Sequence, residues 1–204
     1  MENLIVYIDG FNLYYGLRHK HLKQYYWLNL LKLSELFLPP NHVLAKTKYF
    51  TSKIKTSNND KRKRQNTFLE ALETLPNFEI YYGHYLNKTV HCDKCNSDIK
   101  THEEKMTDVS IATELIFDAF NNSFDTAIIV SGDSDLVPPI KKIKSSFPLK
   151  KIGVGFPPNR RSYDLEKNAD FAFEISVNRL KKSVFPDTVT NKHGIVLLRP
   201  PEWK

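Results

Sequence analysis

An α/β sandwich around a mainly parallel sheet is the fold class that this sequence predicts, on three observations. Apolar runs of strand length alternate along the chain with segments of helical periodicity, as in parallel sheets joined by helical crossovers. Two of those runs, Leu4–Ile8 and Thr126–Val130, have none of the polar alternation of a half-exposed strand and suit strands buried on both faces. The 204 residues hold no internal repeat and no low-complexity linker, so one domain is expected.

The elements follow in order. Leu4–Ile8 is the first strand and is ended by Asp9-Gly10. Asn12 to about His21 and Leu28 to Leu36 read as helices, the second stopped by Pro39-Pro40. Val43–Thr51 alternates and is rich in Tyr, Phe and Thr, a second strand. Asn58-Asn59-Asp60 can cap a helix to about Thr74 whose first turn is Lys61-Arg62-Lys63-Arg64, and Phe78–Leu86 is a third strand. Asn87 to Thr101 is polar, carries both cysteines, and reads as an inserted turn or hairpin. Thr107 or Asp108 opens an amphipathic helix with Val109, Ala112, Leu115, Ile116, Ala119 and Phe120 on one side. Thr126–Val130 is the fourth strand, followed by Ser131-Gly132-Asp133-Ser134-Asp135, a helix to about Ser145, and a fifth strand at Lys151–Gly155. A loop, Phe156 to Arg161, leads to a short helix at Ser162–Asn168, an extended piece at Phe171–Glu174 and a last helix at Ser176–Lys182. Residues 183–204 read as an extended C-terminal tail or flap.

Composition narrows the function classes. A hydrophobic fraction of 41% supports a packed core, and a net charge of +7 favours an acidic partner, most often nucleic acid, over mere solubility. No apolar run approaches a membrane span, Met1-Glu2-Asn3 lacks a basic signal-peptide start, and two cysteines make no disulfide framework. A soluble, cytoplasmic protein is expected, without a membrane partner.

The acids carry the functional signal. Ligands of open parallel sheets bind outside the carboxyl ends of the strands, where the strand order reverses. Asp9 follows the first buried strand, Asp133 and Asp135 follow the fourth, and Asp108 starts the helix whose right-handed crossover begins at that same edge. Each alone has a plain explanation as a helix-start acid or turn former. Together, four carboxylates from three segments at one edge repel unless a cation sits among them, and hard oxygen ligands suit Mg²⁺ or Mn²⁺. Such a site can stabilise an in-line phosphoryl displacement, which joins the acids and the basic charge to one substrate class, a polyanion.

Three stretches, Ile5-Val-Tyr-Ile-Asp9-Gly10-Phe11-Asn12-Leu13, Glu104-Lys-Met-Thr-Asp108-Val109 and Val130-Ser-Gly-Asp133-Ser-Asp135-Leu136-Val-Pro138, together resemble the NYN-domain family of the PIN-like nuclease superfamily. The resemblance covers residues 3–182 in element order, giving a domain at 1–182 with a cysteine-containing insertion at 87–103 and a tail at 183–204. It implies a PIN-like three-layer sandwich, a Mg²⁺- or Mn²⁺-dependent acidic site, and RNase activity leaving 5′-phosphate and 3′-hydroxyl ends. Asp9 matches the first-strand acid, Asn12 the nearby amide, Asp108 the helix-start acid, and Asp133 and Asp135 the late acidic pair. Arg160-Arg161-Ser162 and Ala169-Asp170-Phe171 also resemble the family pattern. Either Arg160 or Arg161 would hold a phosphate through a guanidinium fork, and Asp170 is read as structural. Thr107 and Ser131 are hydroxyls placed to bond the carboxylates or a water.

Cys92-Asp-Lys-Cys95 has the spacing of half a zinc knuckle, which His102, or His84 or His91, would complete; a reduced thiol pair on a solvated hairpin is the commoner outcome. Lys53, Lys55 and the run Lys61–Arg64, with Tyr81, Tyr82 and Tyr85 on the next strand, suit single-stranded RNA by pairing charge with ring stacking, against the plainer reading of a solvated helix and core tyrosines. The expected function is therefore a metal-dependent endoribonuclease acting on single-stranded or tRNA-like RNA, in which a homodimer would extend the basic surface. Two alternatives remain: an RNA-binding or regulatory module with little activity of its own, and a metal-dependent phosphatase. The phosphatase predicts a second aspartate two residues past Asp9, where this chain has Phe11.

Overall fold

The computed structural model describes residues 1–92 and 96–204, with the backbone alone for 84–92 and 98–105. The central sheet is built from β1 (Glu2–Asp9), β2 (His42–Thr51), β3 (Phe78–Tyr82), β6 (Thr126–Val130), β7 (Lys151–Phe156) and β8 (Phe171–Glu174). Their order is β3-β2-β1-β6-β7-β8, every neighbour parallel. The chain winds outward from β1 in one direction through β3, then returns to the other side of β1 with β6. The order reverses at the β1/β6 junction, where such sheets open a crevice at their carboxyl edge.

Alternation along β1 builds both halves of the core. Leu4, Val6 and Ile8 face one side, packed with Trp27, Leu33 and Leu72. That layer comprises α1 (Gly10–His19), α2 (Leu30–Glu35), α3 (Asn59–Leu72) and α7 (Val177–Lys182). Ile5 and Tyr7 face the other, with Ile111, Leu115, Ile140 and Ile143 from α4 (Thr107–Phe120) and α5 (Val137–Ser146). Each such side chain contributes about 1.5–3 kcal/mol by leaving water. A three-layer α/β sandwich results. Among the described residues no helix is long and apolar enough to cross a membrane.

The third strand stops at Tyr82, and the inserted segment is an antiparallel hairpin of β4 (His84–Cys92) and β5 (Ser97–Lys105). The face of α4 differs from the expected one. Thr107, Ile111, Leu115, Asp118 and Ala119 are buried, while Val109, Ile116 and Phe120 stand exposed beside Phe117. The helix is apolar on more than one side, and its inward face carries a charge pair, Asp118 meeting the buried Lys48 of β2 at 2.6 Å. Apolar periodicity cannot register that pairing. Residues 183–204 are anchored through the hairpin of β9 (Thr188–Thr190) and β10 (Val196–Leu198). Leu197 is buried, and Arg199 donates to the carbonyls of Gln24 and Trp203 at 2.6 and 2.5 Å. The short helix α6 (Tyr163–Asn168) precedes β8.

Candidate active site

The carboxyl ends of β1 and β6 meet in a hydrogen-bonded knot. Asp9 ends β1, caps α1 and is 1% exposed. Its Oδ1 accepts from the Asn12 backbone N–H at 3.0 Å, and its Oδ2 from Asn12 Nδ2 at 2.6 Å and Ser131 Oγ at 2.9 Å. Asn12 Oδ1 in turn accepts the Gly132 N–H at 3.3 Å, so one amide ties β1 to the loop after β6. Ser131 Oγ receives the Asp133 N–H at 3.0 Å, and Asp133 Oδ1 that of Asp135 at 3.0 Å. Burial pushes the Asp9 carboxyl up; the bonds from Asn12 and Ser131 pull it down without offsetting burial, and the Asp133 carboxylate pushes it up further. Tyr49, beside it on β2, is pushed up to about 12 by burial, with the Asp9 charge adding to the shift.

Asp9, Asn12, Ser131 and Asp133 are thus brought into one chain of contacts. Asp133 is half-buried, and Asp135 stands in solvent on a 3-10 turn, Ser134–Leu136. Thr107 is buried and Asp108 half-buried at the start of α4, which packs against that turn. Arg160 lies alongside: a Cβ on Gly132 would come within 2.0 Å of its carbonyl oxygen, and one on Gly16 within 2.7 Å of Pro158 O. These two glycines let the Pro157–Arg161 loop settle against α1 and the β6 loop at once. The Arg160 guanidinium sits 5.8 Å from the Tyr15 ring centre.

Arg161, by contrast, is committed to Glu166 at 2.7 Å and approaches Glu174 at 3.7 Å. Lys53 lies over the Tyr82 ring at 5.0 Å, just past β2. Asp170 sits at the opposite, amino end of β7, bound to the Ile152 N–H at 2.8 Å and Lys144 at 2.9 Å. Burial raises that carboxyl, but these partners outweigh it and hold it low, as a structural acid is held. Of the zinc candidates, Cys95 lies outside the described residues, as do the side chains of Cys92 and His102.

The chemistry of the acidic edge fits a hard cation, with oxygen donors only and a buried carboxylate under like-charge pressure from its neighbour. Among the described residues, however, no group of three or more His, Cys, Asp or Glu side chains is already gathered to hold one. Two features escaped sequence reasoning. Tyr15 as the ring under Arg160 follows from nothing local. Gly132 as a close-approach position was signalled only by a glycine within Ser131–Asp133.

A family model for the NYN domain matches residues 3–176. The chain is similar to 6-hydroxy-3-succinoylpyridine 3-monooxygenase HspA of Pseudomonas putida strain S16, 28% identical over 97% of this chain and 74% of that relative. In fold it is similar to a crystal structure of a protein of unknown function from Vibrio parahaemolyticus. That likeness has a TM-score of 0.59 at 20% identity, covering 90% of this chain and 96% of the other. The match spans nearly all of the chain and includes the Asp9–Asn12 knot, and the chain therefore belongs to the NYN-domain family, whose fold is nuclease-like.

Proposed function

We propose that this protein is a metal-dependent endoribonuclease whose scissile phosphate lies over the β1/β6 junction. The observation that carries the reading is Asp9, a buried carboxylate at the switch point held by neutral donors and facing a second carboxylate, Asp133. Asp9 and Asp133, with Asp108 and Asp135 at the same edge, would hold Mg²⁺ or Mn²⁺. Such a cation supplies positive charge where the phosphodiester gathers negative charge. Asn12 and Ser131 hold Asp9 in place and favour its charged form against the stronger pull of burial, so its orientation is set before substrate arrives. Arg160, which unlike Arg161 has no carboxylate ion pair among the described residues, is the guanidinium placed to meet a phosphate oxygen. Hydrolysis then proceeds by in-line displacement of the ribose 3′ oxygen by water.

The test is cleavage of a labelled single-stranded RNA and its DNA counterpart with Mn²⁺, with Mg²⁺ and with chelator, by wild type and Asp133→Asn. RNA-selective cutting that needs metal and disappears in the variant is the expected result. Cutting that survives Asp133→Asn would show that other acids carry the chemistry. RNA binding without cutting by either protein would reduce the reading to a binding module.

A second reading starts from the relative named for 6-hydroxy-3-succinoylpyridine, and an aromatic-walled cleft beside Asp9 favours it. It makes the substrate a small heteroaromatic acid. It predicts that such an acid binds while metal and RNA together give no cleavage.

A further inference from the structure

Beside the acids, on the α1 and α3 side of the same sheet edge, lies a cleft of about 600 Å³, a size that suits a small molecule or one nucleotide. Its lining includes Gly10, Tyr49 and Thr51, the residues next to Asp9 and to Phe50, its partner across β2. The walls are aromatic. Tyr14 and Tyr26 have ring centres 5.1 Å apart, Tyr26 and Trp203 5.8 Å, and Phe68 and Trp203 6.1 Å. Tyr14 is 43% exposed, so part of this ring surface is open to a ligand rather than spent on the core.

Charge in the cleft is one-sided. Arg18, Lys23, Lys61 and Arg64 line it, and Glu202 is the single acid among its described lining residues. That acid is engaged: Glu202 Oε1 lies 2.6 Å from Arg64 Nη1, the arginine side chain mostly buried and the glutamate more than half exposed. A guanidinium already gripping an oxyanion inside a basic, ring-lined cleft shows where a phosphate would sit. The walls are held in place before any ligand arrives. Gln65 Nε2 donates to Ser52 O at 2.9 Å and its Oε1 accepts from the Ile54 N–H at 2.8 Å, fixing the loop after β2. Arg199 holds the Trp203 carbonyl at 2.5 Å, fixing the C-terminal turn. Tyr15 joins cleft and acidic edge, lining the one while carrying Arg18 at 6.0 Å and Arg160 at 5.8 Å.

We propose that this cleft is the subsite for one nucleotide of single-stranded RNA, its base stacked among Tyr14, Tyr26 and Trp203 and its phosphate on Arg64, with Glu202 as a built-in competitor for that guanidinium. Planar bases of any kind stack on such rings, and the phosphate grip adds affinity without sequence preference. The assignment rests on the ribonuclease reading, which supplies the reason for a strand to run from here toward Asp9.

The experiment measures fluorescence anisotropy of a short labelled single-stranded RNA, in chelator, on an Asp133→Asn background so that nothing is cut. Tyr14→Ala should weaken binding roughly tenfold, the scale of one stacked base. Arg64→Ala should weaken it and lower the salt dependence by about one phosphate contact. Glu202→Gln should tighten it, by up to about fivefold, the scale of an exposed ion pair. That opposite sign cannot come from a misfolded variant, and thermal melts check the other two. If all three variants bind as the parent does, the cleft assignment is overturned, and metal-dependent cutting by wild type would leave the ribonuclease reading standing. Should the variants shift as expected while wild type cuts no RNA, the subsite holds and the ribonuclease reading fails. Binding of a free hydroxypyridine carboxylic acid in the cleft, without any of RNA, overturns the nucleotide assignment.

Discussion

Asp9 and Asp118 are both almost fully buried, 1% and 6% exposed, and belong to the same side of the sheet, yet their surroundings are opposite in kind. Asp118 meets Lys48 at 2.6 Å and accepts from the Tyr7 hydroxyl, while Glu114 takes the same ammonium at 2.7 Å. Burial alone would lower the Lys48 pKa; its two carboxylate partners outweigh that and hold it above the ordinary lysine value. The partners of Asp9 among the described residues are neutral donors and a second carboxylate, and its pKa rises. One buried acid is electrically closed and belongs to the architecture. The other has a like charge beside it and no cation among the described residues, the condition of a group that completes its charge balance with something from outside.

Breaking the closed cluster should have the largest effect. Lys48→Met leaves Glu114 and Asp118 without their cation and should cost about 3–5 kcal/mol, read as a lowered urea midpoint. Asp9→Asn should behave in the reverse way: unfolding free energy at pH 7 unchanged or higher, but RNA cleavage down on the order of 10²–10³-fold, the scale of one preorganised electrostatic group. A stability loss for Asp9→Asn equal to that of Lys48→Met would erase the distinction between the two acids.

The smallest effect is a pH dependence. Burial, and then the Asp118 carboxylate, hold the Tyr7 hydroxyl well above its ordinary value, so the folded protein keeps a proton that the unfolded chain releases above about pH 10. Stability from this group is complete below that pH and falls as pH rises, by about 1.4 kcal/mol per unit for one proton. Lys48 is shifted in the same direction. Tyr7→Phe should therefore be about 1 kcal/mol less stable at neutral pH, through the lost bond to Asp118, and show a shallower alkaline decline in denaturant melts.

Much of the scaffold was readable without coordinates. Leu4–Ile8 and Thr126–Val130 announce their double-sided burial by uninterrupted apolar character, and both are central strands. Asn58 caps α3 by accepting the Lys61 N–H at 2.9 Å, as its position ahead of the helical segment implied. On α4 the apolar pattern leaves both Ile111 and Asp118 off the inward face, and the Lys48 that meets Asp118 there comes from a distant strand. For the candidate site, the Asp9–Asn12 contact is local, yet the apolar pattern starts that helix at Asn12, whereas in the fold it starts at Gly10 with Asp9 as its cap. Which arginine stands beside the acids was not local, since Arg160 and Arg161 are neighbours and only packing against Gly132 separates them.

By itself, then, the sequence determined the alternation of strands and helices, the caps, and the presence of acids just past two buried strands, because these depend on contacts within a few residues. Tertiary structure alone decided the rest. It set β1 beside β6, so that Ser131 reaches Asp9 across 122 residues of chain. It chose Lys48 as the cation that closes one acid cluster and gave the other no cation among the described residues. It also brought Trp203 and Glu202 from the far end of the chain onto α3 to complete an aromatic, basic cleft. Such long-range partners are selected by total burial and charge balance over the folded molecule, and neither quantity is written in any short stretch of residues.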